Sequence, residues 1–269
     1  MSRLRSVAAA GVAAATAAGA FRLLTERVRS SRWRRTNHTG EPVTLLEGPA
    51  YVLGAAAGAM TSGPAGVVAV LGAGGFGALD DLAGDGASKG LRGHLGAAAR
   101  GEVTTGFVKV VGIGATGLVA AALADRRRDD VGALDTLVGG AVVAAAANLA
   151  NLLDLRPGRA LKATVLAATP LAAGSAGPAA RRAAAAAGAA LGVAAPDLAG
   201  RAMLGDTGAN AAGALVGTAL LDASGRRGRL VALTVLTALT LASEKVSFTR
   251  VIESTPVLRE LDAWGRPAR

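Results

Sequence analysis

The sequence predicts an all-α fold, a polytopic transmembrane helical bundle of about nine membrane helices with a site at the cytoplasmic face. Apolar residues make up 51% of the 269 residues, aromatic residues only 3%, and the mean hydropathy is +0.42. Small apolar residues suit a bundle in lipid, because they let helix backbones approach closely. The period-2 pattern of a strand is absent, and backbone groups in lipid need partners within the chain, so we expect helices throughout.

Nine apolar segments are the candidate membrane helices. Several are shorter than the ~20 residues that cross a bilayer comfortably, so they extend into flanking polar residues or lie partly within the protein. The first has a basic start and small residues near its end, as a signal peptide does, but the eight further segments favour an uncleaved helix. The segments are 4–24, 45–61, 64–80, 104–124, 131–149, 160–175, 180–195, 208–222 and 229–243.

We expect one integral-membrane domain over residues 1–269, in which residues 244–269 form a cytoplasmic amphipathic tail. The loops alternate between two sides, and the side richer in Lys and Arg is assigned to the cytoplasm. Four polar stretches, which contain most of the candidate site residues, all fall on this basic side; they are residues 77–86, 148–158, 195–210 and 243–266. In the tail, the spacing of Val257, Leu258 and Leu261 predicts one face of a short helix that lies on the membrane surface or folds over the site.

Composition excludes several classes of site. The chain has no cysteine and only two histidines, so disulfides and a multi-histidine zinc site are ruled out. The net charge of +10 suggests nucleic-acid binding at first sight. However, the basic residues are scattered between apolar segments and aromatic stacking partners are scarce, so we expect no nucleic-acid partner.

The first polar stretch carries a pair of carboxylates at the end of an apolar segment. Asp80 and Asp81 diverge by ~100° on a helix and can converge only where the chain turns. Two close carboxylates suit a general base or a Mg²⁺ partner, and an acidic pair facing water is the alternative. In the following loop, Lys89 and Arg92 are predicted to contact a pyrophosphate, unless they belong to an ordinary basic loop.

Two further stretches carry candidate ligands. Asn148, Asn151 and Asp154 recur every three residues and would share a helix face, where they need polar partners. A metal with a polar ligand would satisfy them, and amide hydrogen bonding between helices is the alternative. Asp206, within the string GDTGAN (205–210), precedes an apolar helix. It is either a cap of that helix or a Mg²⁺ ligand on a loop whose helix N–H groups point at phosphate.

Taken in order, these strings resemble those of the polyprenyl-phosphate N-acetylhexosamine-1-phosphate transferases. The similar strings are LDD (79–81) with KGL (89–91), NLANLLD (148–154) and MLGDTGAN (203–210). The family fold is a polytopic helical bundle with these motifs in cytoplasmic loops. The resemblance implies a multi-pass protein of the cell membrane whose active site lies at the cytoplasmic face.

The resemblance also implies a reaction and the residues that perform it. A polyprenyl phosphate would attack a UDP-sugar of the N-acetylhexosamine type and release UMP, at the start of a cell-envelope glycan pathway. Mg²⁺, or Mn²⁺ in its place, would be held by Asp206 and Asn151. The catalytic residues implied are Asp80, Asp81 and Asp154, and the substrate-binding residues implied are Lys89, Arg92 and Asn148. Membrane lipid is a further expected partner, and a homodimer is possible.

Departures from the family pattern leave other functions open. The late loop has no histidine cluster, and Asp154 stands without a second Asp-Gly pair. A catalytically weakened homologue that binds polyprenyl phosphate, or that scaffolds an envelope-synthesis complex, is therefore the alternative. An unrelated small transporter would instead place its polar groups near the bilayer midplane.

Overall fold

The computed structural model describes residues 2–37, 39–83, 104–126 and 128–267, and most of them are helical. Each of the nine predicted apolar segments coincides with one helix, α1 to α9, and two short helices follow in the tail. The helices are α1 (Ser2–Arg27), α2 (Glu47–Ala59), α3 (Pro64–Ala83), α4 (Thr105–Asp125), α5 (Ala133–Leu153), α6 (Arg159–Gly174), α7 (Gly177–Leu198), α8 (Gly205–Ala223), α9 (Arg226–Ser243), α10 (Phe248–Ser254) and α11 (Pro256–Ala263).

Four of these helices, α1, α3, α4 and α5, are long and apolar enough to cross a membrane. A fifth span results if α9 and α10, which meet at an angle of 94°, are counted together. The structure therefore agrees with an all-α membrane protein. It supports four or five spans by length and composition, fewer than the nine predicted.

Helix α8 forms the centre of the bundle and packs against α2, α3, α5, α6 and α7. Its sequence is mostly Ala and Gly, so neighbouring backbones come very close. A Cβ atom on Gly213 would collide with the carbonyl oxygen of Ala146 in α5, and one on Gly217 would lie 3.0 Å from the Cα of Val143. One apolar cluster joins α8 to α1, α2, α6 and α7, and a second joins it to α3, α4 and α5.

Buried ion pairs close the end of the bundle where α8 terminates. The guanidinium of Arg229 donates to both carboxylate oxygens of Asp125, at 2.5 and 2.7 Å. Arg182 pairs with Asp222 through one of its guanidinium nitrogens and donates with another to the carbonyl oxygen of Ser62, and Arg128 donates to the carbonyl oxygen of Leu221. A charge buried without a partner is costly, so each carboxylate here is matched by an arginine.

The prediction of helices alone is wrong for one short segment. Strands β1 (Arg34–Thr36) and β2 (Pro42–Thr44) form an antiparallel hairpin that turns at Gly40, whose φ is +86°. Three residues per strand are too few to show an alternating pattern. Thr44 also exchanges backbone hydrogen bonds with Arg201 and Met203, which fixes the loop that leads into α8.

The tail docks on the start of α6, and α11 confirms the predicted short helix. Arg159 donates to both carboxylate oxygens of Asp262, at 2.7 and 3.0 Å. Lys162 donates to the carbonyl oxygen of Trp264, at 3.1 Å, and Arg266 to that of Pro157, at 2.8 Å. These bonds hold the tail against the loop that joins α5 to α6.

A matched pair of Gly→Ala substitutions tests the close packing of α8. We expect Gly213→Ala to destabilise the protein by about 1–3 kcal/mol, because the new methyl group meets backbone that cannot rotate away. Gly75→Ala in α3 points a methyl group into open space, so it should be neutral or slightly stabilising through helix propensity. Thermal unfolding in detergent measures both, and equal midpoints would contradict this packing.

The Arg159–Asp262 pair predicts how tail docking depends on pH. Burial alone would raise the pKa of Asp262, but the hydrogen bonds and charge of Arg159 outweigh it and lower this pKa. A lowered folded-state pKa gives stability that is present above the unfolded pKa of about 3.9 and is lost as the pH falls below it. The tail should therefore stay docked at neutral and mildly acidic pH and detach only below about pH 4.

Fluorescence anisotropy of Trp264, measured in a Trp33→Phe background, reports this release. Asp262→Asn should free the tail at neutral pH, whereas the exposed control Glu260→Gln should behave as the parent protein does. Release of the parent tail near neutral pH would refute the role of this ion pair.

Candidate functional site

Asp81 ties the end of α3 to the start of α8. Its Oδ1 accepts the backbone N–H of Asp206 at 3.1 Å, and its Oδ2 accepts the N–H and the hydroxyl of Thr207 at 2.9 and 2.6 Å. The first N–H groups of a helix lack partners within the helix and carry partial positive charge, so a carboxylate stabilises them. These two N–H groups are therefore occupied by Asp81, and the expectation that they point at phosphate is wrong.

Asp80, next in the chain, faces a different group of residues. Lys109 of α4 places its Nζ 3.2 Å from the Oδ2 of Asp80 and also forms an ion pair with Asp206. The three side chains are 15–25% exposed, so they lie at the edge of the interior. Asp206 lies in the first turn of α8 and does not cap that helix, whose capping position is occupied by Leu204.

Asp154 lies immediately after α5 and is almost fully buried. One of its oxygens accepts the backbone N–H of Gly205, while Oδ2 has no hydrogen-bond partner. Burial raises the pKa of Asp154, and the negative charges of Asp197, Asp206 and Asp81 raise it further. The structure thus brings together carboxylates from three of the predicted polar stretches.

Two more buried carboxylates lie beside Asp154. Glu47, the first residue of α2, is fully buried, and its side chain hydrogen-bonds that of Asp197 in α7. The Oδ1 of Asp197 also accepts the N–H of Gly158 at 2.7 Å. Burial raises the pKa of Asp197 to about 6. The site therefore holds more buried carboxyl groups than the predicted residues alone supply.

The predicted amides lie on α5, apart from the carboxylate pair of α3. Asn148 donates to the hydroxyl of Thr240 in α9 at 3.2 Å, the interhelical contact that the sequence left as an alternative. Asn151 is half-buried in the last turn of α5, and its role in metal binding stays a prediction. Asp154 has left the helix, so only the two amides can share a helical face. Lys89 and Arg92 lie outside the described residues.

Sequence reasoning missed Lys109 and Glu47, although each left a signal. Lys109 is an ionisable residue inside an apolar segment, and such residues are seldom placed there without a function. Glu47 is an acidic residue inside the segment 45–61, and it stands directly before a glycine whose neighbours include Thr207.

The carboxylate oxygens at this site are of the type that Mg²⁺ prefers as ligands. The predicted ligands Asp206 and Asn151 would hold such an ion, and the partnerless Oδ2 of Asp154 is a further oxygen that a cation would satisfy. Within the described parts of the chain, no three acidic or histidine side chains form a ready-made metal centre. At present Lys109 supplies the positive charge beside Asp206.

A cavity of about 220 Å³ borders Asp154. The walls of this cavity include Thr36, Asn37 and Val43 of the hairpin. They also include Ala202 and Met203 of the loop before α8. The cavity is large enough for part of a polar ligand, and it gives that ligand access to a carboxylate that is otherwise buried.

Neither a protein-family model nor a curated protein matches this chain.

In the absence of a metal, the ion pairs of Lys109 should stabilise the folded protein. We expect Lys109→Met to lower the free energy of unfolding by about 1–3 kcal/mol, because Asp80 and Asp206 lose their partner and repel each other. Millimolar Mg²⁺ should then raise the melting temperature of this variant more than that of the parent protein. The exposed Lys245→Met is the matched control and should change neither quantity. If Mg²⁺ has the same effect on all three proteins, the two carboxylates do not attract a divalent cation.

Proposed function

We propose that the protein is a membrane enzyme that transfers a sugar-1-phosphate from a UDP-N-acetylhexosamine-type donor to a polyprenyl phosphate and releases UMP. The observation that carries this proposal is the meeting of Asp81, Asp154 and Asp206. Asp81 and Asp206 are 125 positions apart in the chain, yet they are joined by a hydrogen bond. Carboxylates from three of these strings, LDD, NLANLLD and MLGDTGAN, lie close together, which supports the proposal.

The reaction is a phosphoryl transfer. An oxygen of the lipid phosphate forms a bond to the β-phosphorus of the donor, the bond from that phosphorus to the bridging oxygen breaks, and UMP leaves with the electron pair. Such transfers depend on positioning and on neutralising charge at the phosphates. When bound, Mg²⁺ would neutralise negative charge on the pyrophosphate.

Different residues of the chain would position the phosphates and neutralise their charge. Lys109 supplies a cation within reach of Asp80 and Asp206, and it can turn towards a phosphate when one enters. Asp81 keeps the first turn of α8 in place, so Asp206 is held in a fixed position. The cavity beside Asp154 would accommodate part of the donor. The cytoplasmic face of the cell membrane is the location that a UDP-sugar donor requires.

One observation favours the second function, binding of polyprenyl phosphate without turnover. Lys109 already pairs with Asp206, so the proposed main metal ligand is neutralised by the protein itself. A homologue that has replaced the metal by a lysine could still bind an anionic lipid phosphate. The two functions differ in whether UMP is formed.

A release assay decides between them. Purified protein with Mg²⁺, polyprenyl phosphate and a panel of UDP-N-acetylhexosamines should form UMP. Asp206→Asn should reduce the rate by about 100-fold or more, because it removes a carboxylate ligand of the Mg²⁺ that would neutralise the pyrophosphate. The matched control is Asp129→Asn, in an exposed loop, which should retain the rate of the parent protein. No UMP with any donor, together with retained binding of polyprenyl phosphate, would establish the binding function instead.

A further inference from the structure

A second and larger cavity, of about 450 Å³, lies between α6, α7 and the tail. Its size falls within the range of pockets that bind small ligands, roughly 300–1,000 Å³. Most of its walls are aliphatic or aromatic, for example Leu161, Val165, Ala194, Leu198 and Ile252. Water in an apolar space of this kind would lack hydrogen-bond partners, so the natural occupant is a hydrocarbon.

The cavity is continuous with the outer apolar surface of the bundle. Leu166 of α6 and Leu191 of α7 line it and are also 61% and 64% exposed. Side chains of this type on the outside of a membrane protein face lipid. A hydrocarbon chain can therefore enter sideways from the bilayer, without crossing water.

The wall of the cavity carries excess positive charge. Arg159, Lys162 and Asp262 line the cavity, and Arg266 lies 2.9 Å from Asp262. Three cations thus surround one carboxylate. Cationic side chains at the membrane surface attract anionic lipid headgroups, so the chain that enters should belong to a lipid with a negatively charged headgroup.

This cavity is separate from the carboxylates of the candidate site. Among the described residues, its walls include neither Asp80 nor Asp81, and neither Lys109 nor Asp206. A lipid phosphate that reacts must approach those groups. The lipid in this cavity is therefore one that does not react.

We propose that the cavity binds one acyl chain of an anionic phospholipid, with its phosphate beside Lys162, which lines the cavity, and the neighbouring Arg266. The tail covers the chain, and Ile252, Leu258, Leu261 and Trp264 complete the walls. This lipid would be a fixed component of the fold, which bridges α6 and α7 to the tail. That the bound lipid is not the reacting one rests on the proposed function, whereas the binding of an acyl chain in the cavity does not.

Native mass spectrometry of delipidated protein, to which lipids are added back, tests the proposal. Phosphatidylglycerol should give one bound molecule per chain, and occupancy with phosphatidylcholine should be about tenfold lower. Ala194→Trp fills the cavity and should lower phosphatidylglycerol occupancy about tenfold, whereas Ala195→Trp, on the exposed side of the same turn, should leave it unchanged. Ala163→Phe, with the exposed Ala167→Phe as its control, repeats the comparison on α6 if Ala194→Trp does not fold.

Three results would overturn the proposal. One is unchanged phosphatidylglycerol occupancy in a folded cavity-filling variant. Another is equal occupancy by both phospholipids, which would show that the positive charge at the cavity does not select an anionic headgroup. The third is displacement of phosphatidylglycerol by polyprenyl phosphate at equal concentration, which would assign the cavity to the reacting lipid. None of these results depends on the UMP assay, so this proposal and the proposed function can fail separately.

Discussion

The hydrogen bonds from Asp81 to the start of α8 hold the candidate site together. They connect the end of α3 to the backbone N–H groups of Asp206 and Thr207. Helix α8 is also the centre of the bundle, so the same contact sets the position of the core relative to the site. Gly205, with a φ of +60°, permits the turn into α8, and a side chain there would contact the carboxylate of Asp81. Site geometry and core packing thus depend on one carboxylate.

The buried carboxyl groups at the two ends of the bundle have different partners. Where α8 ends, Asp125 and Asp222 each pair with an arginine. Where α8 begins, Asp154 keeps a carboxylate oxygen without a hydrogen-bond partner, and Glu47 faces the carboxyl group of Asp197 rather than a cation. Since both ends belong to one tightly packed bundle, poor packing does not explain the contrast. Uncompensated carboxylates instead indicate an end that accepts a cation, protons or a polar ligand.

The helices could be predicted from the sequence, and so could the position of the carboxylates at the same end of the bundle. Both follow from the length of the apolar segments and the alternation of the loops, which are local properties. The sequence did not allow the partners of these carboxylates to be predicted. That Asp81 bonds to α8, and that Lys109 reaches Asp206, follows from how α3, α4 and α8 cross. The hairpin at Arg34–Thr36 is stabilised by pairing with the loop around Ala202, a contact that no local pattern encodes. Such tertiary contacts lie beyond a reading of one sequence.

The loop from Asp154 to Gly158 joins the site to the tail. Asp154 faces the carboxylates, the N–H of Gly158 binds Asp197, and the next residue, Arg159, holds Asp262 of the tail. Gly158 has a φ of +73°, a conformation that glycine adopts readily, so the loop has one preferred path. A movement of the tail that displaced Arg159 would also shift the donor that Asp197 uses. Tail docking and the electrostatics of the buried carboxylates are therefore linked through five residues of backbone.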